Sequence, residues 1–382
     1  MTKKVKNGKP KMLIFHPVIA PYRIDQFNSL SKLFDLEVVF LFKKFWNFNL
    51  DQQHLIKDCQ FKFSYLLKGP RHKGRLFRFG MYRKIREVKP DIIVGYEYSF
   101  TTQYLIFLKT IGLIRQNVGS MIDDSPDICI HVQSRLRRLI RDRSVRNLDF
   151  LVVLSEEVAQ FHRDQFMLEE KQVVISPILQ LPERLRRDSG KIELLAQQYI
   201  YKYQLQGKKV ALFVGRFIPE KALLSFITAI TPILSQNDDY RIVLVGEGRE
   251  KESLLTVVKE NNLEKKVLFP GKFQVEGLYG WYACVSGFFL PSLSETFGAV
   301  VNEALIFGLR VFCSQYAGAA TLINSQNGII FNPSDSGDVV SKFQIFIDSL
   351  QAVDRICLAD RPPLINDHMP NFINEWRKII YE

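Results

Sequence analysis

The sequence predicts an α/β protein of two Rossmann-like domains facing across a cleft, and three observations carry that prediction. The chain has 382 residues, more than the roughly 250 to 300 that one hydrophobic core serves. Short apolar runs rich in β-branched and aromatic residues alternate with stretches whose apolar residues recur at helical spacing, the pattern of parallel sheets covered by helices. That rhythm fails once, over residues 180–209, and then resumes.

In the first half the expected strands are Met12–Phe15, Leu36–Phe42, Asp91–Val94, Asn117–Ile122, Phe150–Leu154 and Val173–Ile175. Helices are expected between them over Ile24–Phe34, Leu76–Val88, Thr101–Leu113 and Leu136–Val145. The interruption carries Pro182, a charged cluster over 184–191 and a helix-like stretch ending near Tyr203. Strands then recur at Val210–Val214, Ile242–Val245, Val267–Phe269, Gly287–Leu290, Arg310–Cys313 and Gly328–Phe331. Domains are therefore expected at 1–185 and 186–360, with a C-terminal helix over 361–382 packing back toward the first. Ligands in open α/β sheets bind beyond the carboxyl ends of the strands, so the cleft is where the chemistry should lie.

Composition removes several function classes. Hydrophobic residues at 47% and charged residues at 24% are ordinary for a globular protein and argue against a disordered, fibrous or membrane-embedded chain. The longest apolar stretch, Tyr104 to Ile114, contains Lys109 and falls short of the ~20 residues of a spanning helix. After the basic N-terminus, His16 and Pro17 break the apolar run, which reads as a tail entering a strand rather than a signal peptide. Five scattered cysteines without a Cys-x-x-Cys pair suggest neither a disulfide framework nor a zinc site. A cytoplasmic location is expected. Residues 1–190 hold 33 Lys and Arg against 20 Asp and Glu, whereas the rest holds 19 against 20, so the net charge of +12 belongs to the first half. That half is expected to meet an anionic partner.

Three segments of the second half carry chemistry. In LFVGRFIPEK (212–221) a strand ends at Gly215, and Arg216 and Lys221 leave its tip, where two cations can converge on a pyrophosphate without a metal. In IVLVGEG (242–248) a second strand ends in a glycine turn at Gly246, but Lys251 stands where a dinucleotide fingerprint needs its third glycine. In FFLPSLSETFGAVVNEALIFGL (288–309) a strand and turn lead into a helix opening near Gly298, whose free N–H groups and dipole favour an anion. Glu303 lies inside that helix beside Asn302, suited to the vicinal hydroxyls of a ribose, and Glu295 precedes it in the loop. Lys221 and Glu303 are both expected to project into the cleft rather than the core.

These segments, in this order, resemble glycosyltransferase family 4, retaining enzymes of the GT-B fold, over residues 209–332. LIFHPVIAPYRIDQFNSL and LDFLVVLSEEVAQFHRDQF extend a looser resemblance into the first half. The resemblance implies that Arg216 and Lys221 bind the donor diphosphate with Gly215 and Gly246 nearby. It assigns the ribose to Glu303, and the donor sugar to Glu295 with the backbone of Thr296, Phe297, Gly298 and Ala299. Glu295, Arg216 and Lys221 are the implied catalytic residues, acting with retention and without metal or other cofactor. Departures are Ala222 and Ala317, where relatives commonly carry glycine, and Ala20-Pro21 in the first loop.

The acceptor candidates are His16, Tyr22 and Arg23 after the first strand, Glu97 in VGYEYSF, and Asp123 and Asp124 after SMI. Two basic stretches, 68–84 and 134–146, interleave arginines with Phe77, Phe79, Leu136, Leu139 and Ile140. They suit either an anionic membrane surface or an ordinary solvated face with its apolar residues in the core. The expectation is a nucleotide-sugar donor and a glycan or lipid-linked acceptor in surface polysaccharide or glycolipid synthesis, peripheral to the inner face of a membrane. The alternatives are a nucleotide-sugar epimerase of the same fold and a basic nucleic-acid-binding protein, although no nucleic-acid-binding motif accompanies the charge.

Overall fold

A computed structural model of the chain describes residues 8–43, 52–72, 75–130, 134–354 and 356–380. The basic residues 1–7 and part of the 68–84 stretch lie outside the described residues or side chains. The chain divides into two compact units, Met1–Leu179 with Asp367–Glu382, and Gln180–Asn366. The division comes before the boundary at 185, and residues 361–366 stay with the second unit instead of joining the terminal helix.

The first unit is a seven-stranded parallel sheet of β1 (Lys11–His16), β2 (Asp35–Phe40), β3 (Lys62–Tyr65), β4 (Ile92–Tyr96), β5 (Asn117–Met121), β6 (Phe150–Val153) and β7 (Val173–Ile175). The strands are ordered β3-β2-β1-β4-β5-β6-β7. Central strands buried on both faces read as continuous apolar runs, and Met12, Leu13, Ile14 and Phe15 are fully buried. The half-exposed edge strand β3 gives no such run, and the sequence reading misses it. The helix expected over Leu76–Val88 starts at Met81, because Gly80 takes a left-handed conformation (φ 92°) and Arg75–Leu76 pair as a short strand antiparallel to Arg71–His72.

The terminal helix Met369–Arg377 lies in this unit and covers the β7 edge. The buried Trp376 indole donates to Ser176 Oγ (3.0 Å), and the Glu375 carboxylate accepts the Ile175 N–H (2.8 Å). An edge strand with unpaired backbone groups is thereby closed off.

The second unit is a six-stranded parallel sheet of β8 (Lys209–Val214), β9 (Tyr240–Val245), β10 (Val267–Gly271), β11 (Gly287–Leu290), β12 (Arg310–Ser314) and β13 (Gly328–Phe331). Its order is β10-β9-β8-β11-β12-β13. Stacked rings fill one face, with Phe312 and Phe331 centroids 3.9 Å apart and Phe226 and Phe289 4.8 Å apart. Both units thus run outward from a central pair in the doubly wound order, which places the β8, β9 and β11 exits side by side.

Candidate functional site: a loop cluster in the second unit and a cavity in the first

The exits of β8, β9 and β11 interlock through their backbones. The Gly215 N–H donates to Val245 O (3.0 Å), Phe217 N–H to Glu247 O (2.9 Å) and Leu293 N–H to Glu220 O (3.0 Å). Gly246 sits at φ 150°, and a Cβ there would lie 1.8 Å from Gly215 O. Close backbone approach, with a torsion that L side chains avoid, explains this glycine. Gly215, at the end of the neighbouring strand, has no positive φ. Ala222, where relatives commonly have glycine, adopts φ 52° and opens the helix Leu223–Gln236. An L residue in that conformation is strained by about 1 kcal/mol or more.

Lys221 and Glu295, 74 positions apart in sequence, form an ion pair with both side chains largely buried. Arg216 is exposed at the same loop tip. The Glu295 loop is backed by residues 317–319: Gly318 N–H donates to Glu295 O (3.2 Å) and Ala319 N–H to Phe297 O (2.6 Å). Phe297 is buried and Thr296 half-buried, while Gly298 (φ 92°) opens the helix Ala299–Ile306. No side chain caps that N-terminus, so the positive end of its dipole has no side-chain partner.

Glu303 corrects one expectation. Its side chain does not project freely but is buried, with Oε1 accepting from Gln180 Nε2 (2.9 Å) and Oε2 from the Tyr282 hydroxyl (2.9 Å). Asn302 Nδ2 donates to Gln180 Oε1 (3.2 Å), which holds that amide in place. Burial raises the Glu303 carboxyl above its ordinary range, and the two hydrogen bonds oppose the shift. Gln180 and Tyr282 are missed by the sequence reading. Gln180 lies where the strand-helix rhythm fails, and Tyr282 reads as one apolar position of the helix Glu276–Ala283.

In the first unit, three of the six acceptor candidates, His16, Tyr22 and Glu97, line a cavity of about 720 Å³. His16 Nδ1 bonds Val18 O (3.0 Å), which assigns the ring proton to Nδ1 and leaves Nε2 an acceptor, buried and without a partner. Burial, then the charge of Arg23, pushes the His16 pKa down to about 3. Burial also raises the Tyr22 phenol. Glu97 is held at φ 51°, rare for a residue with a Cβ, by its N–H to Met121 O (2.7 Å) and by the Thr102 and Ser120 hydroxyls on its carbonyl (2.8 and 2.7 Å). Its carboxyl accepts the Asp123 N–H (3.0 Å), and burial, then the charges of Asp123 and Asp124, lifts it to about 8.

The other candidates are tied up. Arg23, 1% exposed, pairs with Asp123 and donates to Gln26 Oε1 (2.6 Å). Asp124, also buried, pairs with Arg137 (3.1 Å), although burial still raises its carboxyl. Among the described residues, no group of three or more His, Cys, Asp and Glu is placed to hold a metal ion.

The basic helix Arg135–Asn147 flanks this cavity. Its Leu136 and Leu139 are 56% and 67% exposed, so they face outward rather than into the core. Among the described residues, no helix is long and apolar enough to cross a membrane.

Residues 208–349 match the family model described as glycosyl transferases group 1. The match contains every donor-site candidate, from Gly215 to Glu303, and stops short of Gln180. The 2-deoxystreptamine N-acetyl-D-glucosaminyltransferase of Niallia circulans is 23% identical over 173 residues, 45% of this chain and 44% of that relative. The sulfoquinovosyl transferase SQD2 of Arabidopsis thaliana is 30% identical over 158 residues, 40% of this chain and 29% of that relative. The chain thus spans less than half the length of both curated relatives. The solved structure of Anabaena Alr3699/HepE in complex with UDP has a TM-score of 0.68 at 17% identity, covering 97% of this chain and 100% of that one. That likeness shows the fold, that of the GT-B glycosyltransferases.

Proposed function

We propose that the protein is a glycosyltransferase that takes a sugar from a nucleotide-sugar donor held by the second unit and passes it to a glycan or lipid-linked acceptor held by the first. The observation that carries this reading is the convergence of three sequence-distant loops at one end of the second sheet. They bring the Lys221–Glu295 pair, exposed Arg216 and an uncapped helix start onto one surface. A diphosphate is the ligand such a surface suits, since two cations and a helix N-terminus neutralise it together.

In this reading Lys221 turns from Glu295 toward the diphosphate, and Arg216 joins it as charge develops on the leaving group. Glu295 and the backbone of Thr296, Phe297, Gly298 and Ala299 hold the donor sugar, and Glu303 receives the ribose hydroxyls. The reaction proceeds with retention, as in glycosyltransferase family 4, and needs no metal. A uridine diphosphate sugar is the first donor to try, because the Anabaena structure was determined with UDP. The basic first unit suits an enzyme of polysaccharide or glycolipid assembly attached to the inner face of a membrane.

A thermal-shift screen against nucleoside diphosphates and their sugar conjugates tests the reading, since a ligand that binds only the folded state raises its stability. A rise with one base names the donor, and slow release of free sugar from that conjugate identifies a transferase. No rise with any of them at millimolar concentration contradicts the reading.

A further inference from the structure

The first-unit cavity has an uneven wall. Val18 and Leu41 are buried in it, Phe42 and Ile140 are half-buried, and Phe100 (47% exposed) and Leu136 (56% exposed) carry the apolar surface out to the rim. One turn from Leu136, Leu139 extends that surface, and Arg135, Arg138, Arg143 and Arg146 are exposed on the same helix. A volume of about 720 Å³ is in the range of small-molecule sites. A carbohydrate alone is a poor match for such walls, because its hydroxyls would lose water without gaining partners.

Two polar groups of the lining are nevertheless incompletely matched. His16 Nε2 is a buried acceptor without a donor among the described residues. Asp123 and Asp124 each have their own arginine, whereas Glu97 accepts one backbone N–H and has no ion pair among the described residues. Both are groups that a hydroxyl can complete.

Resting on the glycosyltransferase reading, we propose that this cavity selects an amphiphilic acceptor. A hydrocarbon chain packs against Val18, Phe42, Phe100, Leu136 and Ile140, and a hydroxylated head meets His16 and Glu97. The exposed arginines on the helix Arg135–Asn147 suit delivery of such a molecule from an anionic bilayer.

Calorimetric titration of the full chain with methyl, hexyl, octyl and decyl β-D-glucosides, each below its micelle concentration, tests the proposal. Burial of the chain lowers Kd by about fourfold per added methylene. Leu136→Asp, at an exposed position, and Ile140→Trp, which fills the cavity, flatten that dependence and leave the Kd for UDP unchanged. Glu97→Ala weakens every glucoside by about fivefold to tenfold and preserves the slope. A Kd independent of chain length, or a slope unchanged in both cavity variants, overturns the proposal. Absence of UDP binding to the wild-type protein would instead count against the transferase reading and leave the alkyl-chain result to be judged separately.

Discussion

The hydroxyl of Tyr282 donates a 2.9 Å hydrogen bond to Oε2 of Glu303, so the carboxylate read from sequence as a free ribose ligand is held rigid from behind. Gln180 holds its other oxygen in the same way. Each oxygen has used only part of its accepting capacity, and the remaining lone pairs can take two vicinal hydroxyls.

Discrimination between UDP and 2′-deoxy-UDP measures that arrangement. The wild-type protein should bind UDP at least about fivefold more tightly, and Tyr282→Phe and Gln180→Leu should each shrink the ratio by about fivefold, the worth of one neutral hydrogen bond of ~1 kcal/mol. Calorimetry of both ligands against the three proteins checks it. An unchanged ratio would make Tyr282 and Gln180 packing residues only.

Lys221→Ala removes a cation from the proposed diphosphate surface and leaves Glu295 without its ion pair. Affinity for UDP should fall by about tenfold to a hundredfold, as for a lost charge-assisted contact of ~1.5–3 kcal/mol. UMP, which lacks the second phosphate, should lose less. Equal losses for the two nucleotides would place Lys221 away from the diphosphate.

Gly246→Ala puts a methyl group against Gly215 O at a φ of 150°. The fold should lose at least about 1–3 kcal/mol, since both the torsion and the contact resist relief. Urea denaturation followed by circular dichroism checks this, and an unchanged midpoint would show that the two loops can separate freely.

Glu97 gives a pH signature. Its carboxyl is raised to about 8, so the folded chain keeps a proton that the unfolded chain loses near the ordinary value of 4.5. The stability contributed by that proton is complete below the unfolded value and is lost as pH rises through about 8. Glu97→Gln cannot ionise, so its melting temperature should gain on that of the wild type between about pH 5 and about pH 9. Parallel melting curves across that range would contradict the assignment.

The strands that the sequence reveals are those with a continuous apolar run, whether buried on both faces or partly exposed at an edge as β10 is. β1, β2, β4 to β7 and all of β8 to β13 appear as apolar runs, whereas β3, half-exposed at an edge, does not. In the second unit the glycines, Lys221 and Glu295 are recognisable because glycine turns and charged loop residues stand out against the apolar strands they follow. Partners supplied from elsewhere in the chain leave none. Tyr282 looks like an ordinary apolar helix position, and Gln180 falls in an aperiodic segment. In the first unit, the pairing of Arg23 with Asp123 depends on residues 100 positions apart, so periodicity could not separate these spent charges from Glu97 and His16.

Hydrogen–deuterium exchange of the full chain with and without saturating UDP tests the central claim most directly. A donor site formed by the three loop exits should slow exchange across residues 215–222, 246–248 and 295–303 together, with smaller changes around Tyr282. Slowing confined to the first unit, or none in these three segments while UDP is bound, would contradict the assignment of the second unit as the donor-binding half.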